Sequence, residues 1–195
     1  MRNQILQTMT LMFGFVFFAT GCYAQSPGNW HGLPVMSEKK NIQVPVTHPA
    51  SEWKKILTED QYSILREEGT EIPFTGSTWN EHRKGTYYSA ATGQPLFRSE
   101  DKFESGTGWP SFTKPIRQDA VILIYDSSLG MERVEVIDSS SGSHLGHVFD
   151  DGPGPAQFKG GTGLRYCMNS GAMIFVPDGS EPPAIVKSYM KGAKK

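Results

Sequence analysis

Apolar residues at Trp53, Ile56, Leu57, Tyr62, Ile64 and Leu65 recur at the three- and four-residue spacing of one helical face. Thr58-Glu59-Asp60-Gln61 supplies a capping-box start for that helix, Gly69 marks its end, and Pro73 forbids continuation. Beyond Pro73 the apolar runs shorten and fall between glycines and prolines: Gly85-Thr86-Tyr87-Tyr88, Pro95-Leu96-Phe97, Trp109-Pro110-Ser111-Phe112, Ala120 to Tyr125, Arg133 to Ile137, His147-Val148-Phe149, and Leu164 to Val176. This pattern predicts a mainly β fold of antiparallel sheets with short N-terminal helices. No internal repeat and no strand-helix alternation of a parallel α/β sheet is visible.

The flanks differ in texture. Arg2 followed by the apolar run Leu11 to Ala19 is too short for a bilayer span and predicts a secretory signal over residues 1–24, hence an exported protein. Ala19-Thr20-Gly21-Cys22 resembles a bacterial lipoprotein box and Cys22-Tyr23-Ala24 a signal peptidase site; the first is favoured, giving a lipid-anchored or periplasmic protein. Residues 25–50, with Pro27, Pro34, Pro45 and Pro49, are expected to be a flexible linker, residues 51–180 one catalytic domain, and residues 181–195 a frayed tail.

Composition narrows the field. With 195 residues, of which 37% are hydrophobic, the chain can bury one core, and it is expected to act as a monomer. A net charge of -1 leaves no electrostatic footprint for nucleic acid. The two cysteines are Cys22, acylated or removed, and Cys167, so no disulfide can staple the domain. A lone thiol in an oxidising compartment is a liability unless it works.

Three segments carry candidate chemistry. Alternation along a strand puts Arg165, Cys167 and Asn169 on one face, where the guanidinium is expected to lower the thiol pKa; the bland alternative is a small buried apolar residue. His144 and His147, followed by Asp150 and Asp151, offer acid-base groups or two metal ligands. Gly106 and Gly108 precede Trp109, an apolar wall fixed by Pro110. Thiol chemistry on this set could also be that of a cysteine hydrolase, and a β-sheet binding module is the non-enzymatic reading.

Taken together the segments resemble the B-type methionine-R-sulfoxide reductases from about Trp53 to Pro177. The likeness includes Glu68-Gly69-Thr70-Glu71-x-Pro73-Phe74-Thr75-Gly76, Gly93-Gln94-Pro95-Leu96-Phe97, Ser105-Gly106-Thr107-Gly108-Trp109-Pro110-Ser111-Phe112, His144-Leu145-Gly146-His147-Val148-Phe149-Asp150-Asp151-Gly152-Pro153 and Arg165-Tyr166-Cys167-x-Asn169-Ser170. The resemblance implies a β-tent of packed antiparallel sheets and reduction of the R epimer of methionine sulfoxide in oxidised proteins. Cys167 matches the nucleophile, Trp109 the residue holding the substrate methyl group with Phe149 beside it, and His144, His147, Asp151, Arg165 and Asn169 the surrounding polar groups. His147, oriented by Asp151, is expected to donate the proton.

Two departures from the family follow. Positions that hold four zinc thiolates in many members read Ser89, Thr92, Asp138 and Ser141, so no zinc and no other cofactor is expected. Thr107 stands where some relatives place a resolving cysteine, so an external, thioredoxin-like thiol is expected to recycle Cys167.

Overall fold

The computed structural model describes residues 28–193, so the signal segment and Cys22 lie outside the described residues. Two short helices, α1 (Ala50–Ile56) and α2 (Glu59–Glu67), open the domain. The capping box expected at Thr58 is formed: Gln61 N donates to Thr58 Oγ1 at 3.2 Å and Thr58 N to Gln61 Oε1 at 3.1 Å, satisfying two orphan amides of the first turn. Glu68 ends α2 in the left-handed conformation. Trp53, Ile64 and Leu65 are buried, and the Arg66 guanidinium lies 4.9 Å from the Trp53 ring centroid.

A three-stranded sheet joins β3 (Gly85–Ser89) to β4 (Pro95–Arg98) and to β11 (Met173–Pro177). The larger sheet has eight strands: β1 (Gly28–Trp30), β2 (Leu33–Met36), β5 (Lys102–Phe103), β6 (Ser111–Phe112), β7 (Val121–Asp126), β8 (Arg133–Asp138), β9 (His144–Phe149) and β10 (Arg165–Met168), in the order β1-β2-β7-β8-β9-β10-β6-β5. Among the described residues every pairing is antiparallel except β2 with β7. Aromatic side chains join the sheets, with Phe97 stacked on Phe112 at 4.5 Å and Tyr87 edge-on to Phe112 at 4.9 Å.

Both flanks depart from the expectation. Part of the predicted linker is the β1–β2 hairpin, with Val35 wholly buried and paired to Leu123, while Val46 N donates to Ser140 O at 2.8 Å. Lys39 pairs with Glu68 and Glu135. One buried valine between the exposed Pro34 and a half-buried methionine is too little period-2 signal to register as a strand. The predicted tail holds helix α3 (Ala184–Gly192), docked by the fully buried Val186 and by Tyr189 Oη donating to Gln94 Oε1 at 3.2 Å.

Candidate active site

The site is assembled by strand register. Cys167 on β10 faces His147 on β9, which faces Glu135 on β8, so the three side chains share one face of the sheet. His144 and His147 are three apart and would point to opposite faces of a regular strand. A bulge prevents this: Val136 pairs with Gly146 but Ile137 with His144, leaving Leu145 as the extra residue. The two imidazoles consequently meet edge-on, ring centroids 5.4 Å apart. Gly146 is required there, since a Cβ would lie 2.2 Å from Cys167 O.

A pocket of about 190 Å³ opens over Cys167, walled by Trp109, Phe149, His147 and Arg133. Trp109 is fixed from behind, its indole Nε1 donating to Glu71 O at 3.1 Å. Glu71 is in turn fixed to the chain after β10: its carboxylate accepts from Ser170 N at 2.6 Å and Gly171 N at 2.9 Å. Asn169, expected beside the sulfoxide, is buried and commits its amide to the scaffold, accepting from Glu71 N at 3.0 Å and donating to Leu145 O at 3.1 Å. It positions Trp109 through Glu71.

Burial pushes the Cys167 thiol above its ordinary value, and Arg165 with the hydroxyls of Thr107 and Ser111 only partly offsets this. The expected net lowering by Arg165 is therefore corrected: desolvation wins. Thr107 Oγ1 lies 3.9 Å from the sulfur and belongs to a chain of hydroxyls, Ser105 Oγ being 2.8 Å from both Thr107 Oγ1 and Ser111 Oγ.

The orientation of His147 is a second correction. Its Nε2 is 2.8 Å from Asp126 Oδ2, while Asp151 makes a bidentate pair with Arg165, Nε to Oδ1 and Nη2 to Oδ2, both 2.8 Å. Arg165 also lies over the Phe149 ring at 4.4 Å, so Asp151 fixes the cation rather than the imidazole. Burial would raise Asp126, but hydrogen bonds from Ser128 and His147 and the charge of Arg133 hold its carboxyl well below the usual range. Burial likewise pushes His147 down, against the opposing pull of Asp126. His144 is buried, its Nδ1 2.7 Å from Glu135 Oε1. Burial would raise Glu135, but hydrogen bonds from His144 and Lys39 hold it low.

Asp126, Arg133, Glu135 and Lys39 were missed as site residues. A signal was present for one of them: a carboxylate at Glu135 inside the otherwise apolar run Val134 to Ile137 marks a buried charge that needs a partner. Among the described residues no group of three or more His, Cys, Asp or Glu side chains is arranged to hold a metal, His144 and His147 included.

Ser89, Thr92, Asp138 and Ser141, the positions that the resemblance matches to zinc thiolates in many family members, converge at the far end of β8. Asp138 is wholly buried; its Oδ2 accepts from Ser89 Oγ at 2.7 Å, Thr92 Oγ1 at 3.0 Å and Ser141 Oγ at 2.9 Å, and its Oδ1 from Ser140 N at 2.8 Å. One carboxylate whose oxygen already accepts from the three hydroxyls is a donor set that does not fit zinc.

The SelR domain family model matches residues 57–177, the stretch from the residues that lead into α2 to the end of β11, which contains every residue lining the pocket. Similar chains include the peptide methionine sulfoxide reductase MsrB of Methanosarcina barkeri, 53% identical over 133 residues, covering 68% of this chain and 89% of the relative. That of Leptospira interrogans is 53% identical over 124 residues, covering 64% and 90%, and that of Agrobacterium fabrum 50% identical over 127, covering 65% and 90%. With the family model spanning more than half its length and its thiol pocket inside the matched stretch, the chain belongs to the SelR-domain family of B-type peptide methionine sulfoxide reductases.

Proposed function

We propose that the protein reduces the R epimer of methionine sulfoxide in oxidised proteins, through a Cys167 sulfenic acid that an external thioredoxin-like thiol reduces. The observation that carries the reading is the Cys167–His147 cross-strand pair beneath the Trp109 wall. Trp109 and Phe149 hold the methyl end of the side chain, directing the sulfoxide sulfur to the thiol and its oxygen to His147. With the thiol pushed up and the imidazole pushed down, both are neutral at neutral pH. His147 then relays the proton: as sulfur is attacked, the thiol proton passes through the imidazole to the sulfoxide oxygen. The sulfoxide S–O bond breaks, methionine leaves, and Cys167 holds the oxygen as sulfenic acid. The sulfoxide is reduced by two electrons and Cys167 oxidised by two, with no outside proton consumed.

Two external thiols complete the cycle, returning Cys167 and releasing water and a disulfide. Thr107 near the sulfur supports this route, because a hydroxyl cannot form a disulfide. The protein works without zinc, as a monomer, exported and lipidated at Cys22. Metal analysis, gel filtration and metabolic labelling with palmitate test those points separately. The reaction is tested by giving the full chain each separated epimer of N-acetyl methionine sulfoxide with excess dithiothreitol. Release of thioether from the R epimer alone, absent in Cys167→Ser, is expected; release from the S epimer alone or from neither contradicts the reading.

A further inference from the structure

A larger cavity of about 460 Å³ adjoins the reactive pocket, and the two share Arg133 and Phe149 as a common wall. Its apolar lining is Trp30, Tyr125, Val134, Val148 and Phe149, and its rim carries Glu132 and Asp150. One side is closed by Trp30, the last residue of β1, from the β1–β2 hairpin that precedes the stretch matched by the family model.

That wall is fixed by construction. His31 and Gly32 both take positive φ, 51° and 82°, the conformation of a two-residue turn whose twist suits a hairpin, and Asn29 Oδ1 accepts from Gly32 N at 3.0 Å. β2 is held by parallel pairing to β7 and by the buried Val35. β1 lies directly against Tyr125: a Cβ at Gly28 would sit 2.9 Å from the Tyr125 ring. On the other side His31 Nε2 is 3.4 Å from Asp150 Oδ2. Arg133 lines both cavities, and its Nε is buried with no hydrogen-bond partner among the described residues. Such a donor is an unmet demand that a carbonyl oxygen could satisfy.

We infer that the β1–β2 hairpin builds a second substrate compartment, which takes the residues flanking the oxidised methionine in an extended polypeptide, an apolar side chain with a basic neighbour. The inference rests on the reductase reading and specifies its substrate. The smaller cavity accommodates a sulfoxide side chain; the larger adjoins it across Arg133 and Phe149, and a free amino acid would leave it unfilled. The aromatic and aliphatic walls take the apolar neighbour, and the Glu132 and Asp150 rim selects a cation over an anion.

The test uses the full chain and two pentapeptides with central methionine R-sulfoxide, one flanked by Leu and Lys, the other by Gly and Asp, beside N-acetyl methionine R-sulfoxide. Wild type should prefer the Leu/Lys peptide to the blocked amino acid in kcat/KM, and Trp30→Ala should cut that preference about tenfold through KM, with Trp30→Phe restoring most of it. Anisotropy of the labelled peptides on Cys167→Ser reads the groove without turnover: about tenfold tighter binding of the Leu/Lys peptide, lost when Trp30→Ala is added. Equal Kd for both peptides, or a preference untouched by Trp30→Ala, overturns the inference. A wild type that discriminates in binding but reduces none of the three substrates overturns the reductase reading instead.

Discussion

At the Asp138 end of β8 the carboxylate accepts hydrogen bonds from Ser89, Thr92, Ser140 and Ser141, and no side-chain polar atom of these residues is left buried without a partner. At the Arg133 end of the same strand a buried donor is left over: Arg133 Nε has no hydrogen-bond partner among the described residues. There too the thiol is held above its ordinary value and the imidazole below it. A saturated cluster has nothing further to bind and serves to join β3 to β8; an unsaturated one costs stability and keeps its groups available for a substrate. One strand thus carries a scaffold at one end and chemistry at the other.

The sharpest way to break this comparison is to exchange the effects. Cys167→Ser should take sulfoxide reduction to background while leaving the melting temperature within about 2 °C, since the replacement is nearly isosteric. Asp138→Ala should do the reverse. It strands several buried hydroxyls and is expected to cost about 3 kcal/mol in urea unfolding, with kcat within about twofold of wild type at a temperature where the variant stays folded. Asp126→Asn removes the charge that orients His147, and it is expected to lower kcat by about 100-fold at a temperature where the variant stays folded, a loss of activity beyond what its lower urea midpoint accounts for. A variant of Asp126 that loses stability and keeps activity would reverse the assignment of the two ends.

Smaller effects lie in pH. A thiol raised from 9.0 and an imidazole lowered from 6.5 predict a broad plateau of kcat/KM, with the acid limb, where the relay is protonated, displaced below 6.5 and the alkaline limb, where the thiol proton is lost, displaced above 9.0. His147→Asn should lower the plateau and erase its acid limb. In stability, the folded Asp126 and Glu135 carboxyls titrate below their ordinary values, 3.8 and 4.5, so the folded state binds fewer protons than the unfolded chain in that range. Their contribution is present above pH 4.5 and is lost as pH falls through the folded values; Glu135→Gln should flatten that part of the melting-temperature profile.

Much of this architecture could be read along the chain because it is local. The Thr58 capping box, the short strands between glycine and proline, and the placement of Cys167 and Arg165 on one face of β10 follow from spacing alone. What escaped depends on other strands. The bulge at Leu145 exists only in the pairing with β8, so nothing in His144-Leu145-Gly146-His147 announces that both imidazoles face the same way. Asp126 reaches His147 from a hairpin 21 residues earlier, whereas Asp151, near in sequence, is claimed by Arg165. Proximity along the chain favoured the wrong carboxylate. The sign of the Cys167 shift depends on burial, which alternation does not measure. The β1–β2 hairpin is held by pairing to β7 and a single buried valine, while its prolines and polar residues read as a linker.

The central claim, that a solitary Cys167 carries the oxygen and has no partner thiol in the domain, is tested most directly by a single turnover without reductant. One equivalent of methionine should form per chain, with dimedone then found on Cys167 by peptide mass spectrometry. Methionine formed with no dimedone adduct, or a Cys22–Cys167 disulfide in its place, would contradict the account.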